Sequence, residues 1–227
     1  MISVIPAGCR PDLILQYKMK LLKDPAYIEN DTLNTIYSRR AVRKYQIRPV
    51  DKSILEKIID AGRMAPSAIN VQPWKFYVIH NRGLILLCAK AILQVTAKEF
   101  LKGGPLKVLK ESIHLLKFTH GIRFIKAEDP VFHGAPAVIF ITSPKESEWA
   151  ALDIGMCAQN IMLAAKSVGL ESCPIGMAKY IEHTDLKAKL KISPSEEVQL
   201  AIAVGYGDET PEIHKRKMKN VRFIEAF

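Results

Sequence analysis

Apolar positions along the chain recur first at helical spacing and then in short unbroken runs. Tyr27 to Ser38 predicts an opening helix, with Asn30 or Asp31 as its cap and Leu33, Ile36 and Tyr37 on one stripe. A second helix begins after Asp51, a good N-cap flanked by Val50 and Leu55 at staple positions. Ile54, Leu55, Ile58 and Ile59 form its apolar face until Pro66 stops it. The β-branched and aromatic runs Lys75 to His80, Ala137 to Thr142 and Val198 to Gly205 predict strands, and a further short strand precedes Cys173-Pro174. Glu148 to Val168 predicts a helix dense in small residues (Ala150, Ala151, Gly155, Ala158, Ala164, Ala165), closed by Gly169 in the position of a left-handed cap. Small residues let another helix come close, within the core or from a second copy. Leu84 to Asp129 predicts two amphipathic, lysine-rich helices broken at Gly103-Gly104-Pro105.

At 227 residues the chain suits one domain with an elaboration, read as an extension over residues 1–30 and a folded domain over 31–227. With 48% apolar and 25% charged residues it can fill a core and is not of disordered type. The longest apolar run, Ile154 to Ala165, contains Gln159 and Asn160 and is too short to cross about 30 Å of hydrocarbon. Met1 to Arg10 lacks the charged start and sustained apolar stretch of a signal peptide, so the expectation is a cytoplasmic protein without a membrane partner. Cys9, Cys88, Cys157 and Cys173 show neither Cys-x-x-Cys spacing nor histidine partners, which predicts free thiols and no metal. The net charge of +10 is spread over Lys102 to Lys126, Lys179 to Lys191 and Lys215 to Arg222 without aromatic interleaving. Solvated helix faces explain it better than a nucleic-acid partner. The six histidines form no nucleophile or metal constellation; His114 and His120 are placed where they could face a substrate, though surface histidines are commoner.

Two blocks carry the candidate chemistry. Ser38-Arg39-Arg40-Ala41-Val42-Arg43-Lys44-Tyr45 concentrates planar guanidinium forks, which grip phosphate oxygens in pairs and stay charged at any working pH. Alone, such a cluster near a helix C-terminus would only complement the macrodipole. In Ala65-Pro66-Ser67-Ala68-Ile69-Asn70-Val71-Gln72-Pro73-Trp74, the Ser67 hydroxyl and the Asn70 and Gln72 amides can donate and accept at once, as a heterocyclic edge requires. Alone, this block reads as a capped turn.

Together the blocks resemble the FMN-binding signature of the nitroreductase-like flavoproteins, whose usual form is Arg-Arg-Ser-x-Arg followed by Pro-Ser-x-x-Asn-x-Gln-Pro-Trp. The resemblance implies an α+β fold, with a central, mostly antiparallel sheet flanked by helices, in an intertwined homodimer whose small-residue helices pack against each other. It implies that Arg39, Arg40 and Arg43 meet FMN from one subunit and Pro66, Ser67 and Asn70 from the other, with Ala41, Ala68 and Gln72 also among the cofactor-binding residues. By the same likeness Pro174, Ile175 and Gly176 lie along the flavin, a backbone N–H of Ile175 or Gly176 standing near N5, where glycine lets a backbone approach a planar ring. Gly205-Tyr206-Gly207 resembles the family's strand exit, and Lys215 and Arg216, the better match, resemble the basic pair that closes over the phosphate. Gly205-x-Gly207 is not a dinucleotide fingerprint, since it lacks the third glycine. Residues 84–129 correspond to the family's variable segment over the active site, and residues before 31 would wrap the partner or form an arm. Ala41 stands where the family has serine, a lost hydroxyl contact of about 1 kcal/mol. The implied function is an FMN-dependent oxidoreductase that takes hydride from NADH or NADPH at flavin N5 and reduces a small acceptor by a ping-pong cycle. That acceptor would be a nitroaromatic, quinone, enone or halogenated phenol, and the flavin rather than a side chain does the chemistry. The alternative is a basic flavin- or nucleic-acid-binding protein without redox turnover.

Overall fold

Two strands whose residues are apolar on both faces form the centre of the fold, because only burial on both sides accommodates them. In the computed structural model, which describes residues 30–102, 128–212 and 222–224, these are β2 (Ala137–Pro144) and β4 (Glu196–Gly205). With β1 (Lys75–Ile79) and β3 (Glu171–Ile175) they form a sheet of order β1-β2-β4-β3 in which every neighbour is antiparallel. Ile139 faces Ile202 and Phe140 faces Ala201 across its middle, and the register shifts between Ile141 and Thr142.

Helices cover both faces. On one, α1 (Asp31–Ser38) leads into α2 (Lys52–Arg63), which lies with α4 (Ala150–Ser167) over Ile139, Ile141, Ile202 and Val204. On the other, α3 (Arg82–Lys102) and the 3₁₀ segment Gly176–His183 bury Ile85, Cys88, Ile92, Ala178 and Ile181 against Phe140, Ala201 and Ala203. A short α5 (Leu186–Lys189) leads back into β4.

The start of α2 follows its capping signals: the Asp51 carboxylate accepts from Ser53 N at 2.7 Å, and Val50 and Leu55 are buried in one cluster. α4 closes as a Schellman motif, with Gly169 at φ +81°, Leu170 N donating to Ala165 O at 2.9 Å and Gly169 N to Lys166 O at 3.2 Å. α1 is capped by Asn30, whose side chain accepts from Thr32 N and Leu33 N. The described residues leave part of its stripe open, with Ile36 and Tyr37 42% and 37% exposed. The Cys173-Pro174-Ile175 segment lies within β3 rather than after it. Proline is tolerated there because β3 is an outer strand of the sheet, with β4 as its ladder partner. Residues 1–29, the break at Gly103-Gly104-Pro105, His114, His120, Lys215 and Arg216 lie outside the described residues. No helix among the described residues is long and apolar enough to cross a membrane.

Gly205 ends β4 under tight cover. A Cβ there would lie 2.5 Å from Pro136 Cδ and 3.0 Å from Tyr45 Cδ1, both ring atoms that have little room to move. Gly205→Ala is expected to lower stability by about 1–3 kcal/mol, read as a fall in denaturant midpoint; an unchanged midpoint would mean that the strand end shifts freely.

The opposite end of β4 is held by a buried acid. The Glu196 carboxylate accepts from Lys75 Nζ at 2.6 Å, Thr142 Oγ1 at 2.7 Å and Tyr77 Oη at 3.0 Å, tying β1, β2 and β4 together. Burial alone would raise the Glu196 carboxyl, but the Lys75, Thr142 and Tyr77 donors outweigh it and hold it below its ordinary value. A depressed folded-state value means that this stabilisation is complete above the unfolded-state value of about 4.3 and is lost as pH falls through the folded-state one. Glu196→Gln is therefore expected to flatten the acid limb of the stability profile below about pH 4.3. Denaturant midpoints measured across acid pH check it, and an unchanged acid slope would remove Glu196 from the account.

Candidate functional site

The arginine block does not continue α1. Arg39 turns extended (φ −61°, ψ 132°), and residues 39–46 run along the outer edge of β3 and the exit of β4. Val42 N donates to Ser172 O at 3.1 Å, Ala41 bridges Ser172 in parallel sense, and Gln46 N donates to Tyr206 O at 2.9 Å. Val42 and Tyr45 are buried, so the intervening Arg43 and Lys44 lie exposed. Arg43 N–H donates to the Glu209 carboxylate, and Lys44 pairs with Asp208.

The three arginines do different things. Arg40 Nη1 donates to Tyr37 O at 2.7 Å and Arg39 O at 2.6 Å, serving the last carbonyls of α1 as a macrodipole reading expects. Arg39 and Arg43 both act on the Cys173 thiol: burial pushes it above its ordinary value, and the two guanidinium groups pull the other way. The backbone of the block lies beside the same stretch of β3, through the Ala41–Ser172 bridge and the Val42 N–H bond to Ser172 O. Among the described residues, buried Arg39 Nη1 has no hydrogen-bond partner, and neither has Ser172 Oγ. Orphaned buried donors are rare in folded proteins, and a cation with a hydroxyl on one strand is the donor set of an oxyanion site. The residues present fit a phosphate group. Gly176, exposed at the end of β3, has nothing among the described residues within 4 Å of where a Cβ would stand, so no packing there demands a glycine.

The second block is a strained loop. Ala68–Asn70 make a 3₁₀ turn in which Ile69 (φ +44°) and Asn70 (φ +60°), followed by Gln72 (φ +49°), occupy the left-handed region. For a residue other than glycine this costs about 1–2 kcal/mol. Internal ties hold it: Gln72 N donates to Ser67 Oγ at 2.9 Å, Asn70 N to Ser67 O at 3.0 Å and Gln72 Nε2 to Asn70 Oδ1 at 3.1 Å. These bonds consume part of the chemistry expected of Ser67, Asn70 and Gln72, leaving the serine hydroxyl hydrogen, the asparagine NH₂ and the glutamine carbonyl to face a ligand. Trp74, buried with Val50 and Leu55, anchors the loop's far side.

From below, the loop is held by a residue the motif does not contain. Ala68 N donates to both carboxylate oxygens of Asp153, each at 3.3 Å, from the first turn of α4. Asp153 and Ser172 escape a motif search; the available signal for Asp153 is an acid on the apolar face formed by Ala150, Ile154 and Cys157.

The blocks occupy opposite ends of α4. Ala68 is held at its first turn, and Arg39 to Arg43 lie by the strand that follows its last, a separation along the helix of roughly 20 Å at 1.5 Å per residue. Between them α4 turns Ala151, Leu152 and Gly155 outward, lining with Pro66, Met156 and Gln159 an open recess of about 410 Å³.

A model of the nitroreductase family matches residues 36–206, which takes in both blocks, Asp153, Ser172 and Gly176. The chain belongs to the nitroreductase family. It is 27% identical over 215 residues to a 4-nitrobenzoate reductase of Pseudomonas putida, covering 85% of this chain and 92% of that one. Its fold is similar to that of a nitroreductase with bound FMN from Desulfitobacterium hafniense DCB-2, with a TM-score of 0.71 at 21% identity over 87% of this chain and 100% of the other. An FMN- and NADPH-dependent nitroreductase from Sphigopyxis sp. strain HMH aligns with a TM-score of 0.68 at 22% identity, over 87% and 100% of the two chains. The α+β fold with an antiparallel sheet is thus that of the nitroreductases. The nitroreductase match ends at Tyr206, short of Lys215 and Arg216, and begins after residue 35.

Proposed function

We propose that this nitroreductase-family chain is an FMN-dependent oxidoreductase that uses NADH or NADPH to reduce a small organic acceptor, working as a homodimer in the cytoplasm. The buried Nη1 of Arg39, without a hydrogen-bond partner among the described residues, carries the reading, since a phosphate would complete it. When bound, FMN supplies the redox chemistry, accepting hydride at N5 and passing two electrons to the acceptor in a ping-pong cycle. Arg39 and Arg43, with Arg216 and Lys215 by resemblance, hold the anionic end. Ser67, Asn70 and Gln72, whose remaining donors and acceptor suit a heterocyclic edge, orient the ring together with the backbone of Pro174 to Gly176. Ala41 and Ala68 contribute backbone and small size rather than polar groups.

The placement of the two blocks at opposite ends of α4 supports a site assembled from two copies, since antiparallel pairing of that helix brings the loop of one to the arginines of the other. Ile36 of α1, 42% exposed among the described residues, and the outward small residues of α4 support the same association. Nitro compounds head the list of acceptors, given the 4-nitrobenzoate reductase and the NADPH-dependent nitroreductase among its relatives; quinones and enones remain in the class. Residues 31–227 act as one unit, in which α3 is the buried root of the 84–129 segment.

The absorbance spectrum of the purified protein tests the reading, followed by anaerobic titration with NADH and NADPH. A flavin spectrum bleached by either donor and restored by a nitroaromatic is expected. A colourless protein that takes up no FMN would overturn the cofactor; a yellow protein that neither donor bleaches would leave a flavin store.

A further inference from the structure

We infer that Asp153 is a positioning residue for the cofactor loop: from the first turn of α4 its carboxylate caps the turn Ala68–Asn70 and thereby sets the affinity of Pro66–Gln72 for FMN. The inference rests on the FMN reading above for its ligand, but not for its geometry.

Asp153 is 2% exposed and lies on the core face of α4 among Ala150, Ile154 and Cys157. A carboxylate in such surroundings is expensive unless something answers its charge. Among the described residues its hydrogen-bond partner is one N–H, that of Ala68, shared between both oxygens at 3.3 Å. The first turn of α4 adds the positive end of a helix whose N-cap, Trp149, makes no side-chain cap bond. Fold stability gives little reason for an acid here, and an apolar residue of the same size would fill the place as well.

What the acid does accomplish is local. Ala68 opens a turn whose first N–H has no partner within the turn, the need that a capping oxygen meets. Next along the chain are Ile69, Asn70 and Gln72 in the left-handed region, a conformation that persists only where its surroundings over-determine it. Ser67 Oγ closes the turn from its far end by accepting from Gln72 N, and Asp153 closes it from beneath. Remove the lower tie and Ala68 N–H is left unpaired under a strained loop, which then relaxes away from the arrangement of Ser67, Asn70 and Gln72 that meets the ligand. Because Leu152 and Gly155 on the same helix face outward, the tie also joins the cofactor loop to the proposed interface.

The test compares Asp153→Leu with Asp153→Asn in the full chain. FMN affinity is measured by fluorescence quenching, the melting of the apoprotein separately, and loop order by the rate of limited proteolysis within residues 64–72, at protein concentrations where sedimentation shows equal association. Asp153→Leu is expected to melt at or above the wild-type temperature yet bind FMN roughly 10- to 100-fold more weakly, as leaving the Ala68 N–H unpaired implies, with faster cleavage of the loop. Asp153→Asn keeps an oxygen for Ala68 N–H and should stay within about threefold of wild type. Wild-type affinity and cleavage in Asp153→Leu would overturn the inference, and so would affinity that falls only in step with apoprotein stability. Asp153→Asn as damaged as Asp153→Leu would also overturn it, assigning the effect to charge rather than to the cap. Failure of the wild-type protein to take FMN would instead overturn the cofactor reading, while the proteolysis arm still decides whether Asp153 orders the loop.

Discussion

Arg39→Ala combined with Arg216→Ala is expected to give a folded, largely colourless protein that loses FMN on dialysis. Each charge-assisted hydrogen bond to a phosphate is worth about 1.5–3 kcal/mol, so the pair removes roughly 3–6 kcal/mol, or two to four orders of magnitude in affinity. The fold should not suffer. Arg39 contributes its backbone N–H to Thr35 O at 3.0 Å as the C-cap of α1, and alanine keeps that bond. Among the described residues its Nη1 has no protein partner to lose. Arg216 lies beyond the described residues, and its part rests on the resemblance of His214 to Lys217 to a terminal basic pair. Normal melting with loss of colour separates a ligand role from a structural one. Stoichiometric FMN after dialysis of the double variant would place the phosphate elsewhere.

Legibility followed the range of the interactions. α2 could be read because its start and stop are chemical and local, an Asp51 cap and Pro66, and the end of α4 because Gly169 alone accommodates φ +81° without strain. β2 and β4 could be read as strands from their apolar runs, but the order β1-β2-β4-β3 could not, since pairing joins residues far apart in the chain. β3 is short and carries Pro174, a turn signal by local rules, and the sheet edge overrides it.

The site divides in the same way. Arg39 to Arg43 and Pro66 to Gln72 are contiguous and so were visible as motifs. The inward use of the Ser67 hydroxyl was not, because it depends on a left-handed Ile69, a conformation a β-branched residue disfavours. Asp153 lies 85 residues from its partner Ala68, beyond the reach of any spacing rule. Periodicity identified the stripe of Leu33, Ile36 and Tyr37 on α1, but an apolar stripe carries no label for what covers it, and the described residues leave Ile36 and Tyr37 partly exposed.

Gly155→Leu is expected to shift the protein toward monomer and strip its FMN together. Among the described residues nothing lies within 4 Å of where a Cβ at Gly155 would stand, so the new side chain enters open recess and leaves the packing of α4 on the sheet intact. Against a second copy of α4 the same side chain occupies space that only a small residue leaves, an overpacking cost of about 1–3 kcal/mol. If arginines of one copy and Ser67 and Asn70 of the other share one ligand, association and binding are linked. FMN then favours the dimer by mass action, and excess FMN should restore part of it. Sedimentation of Gly155→Leu with and without FMN, beside the melting of the apoprotein, distinguishes the cases. A variant that melts normally, sediments as a monomer and binds FMN at wild-type affinity would show that the whole site is built within one chain.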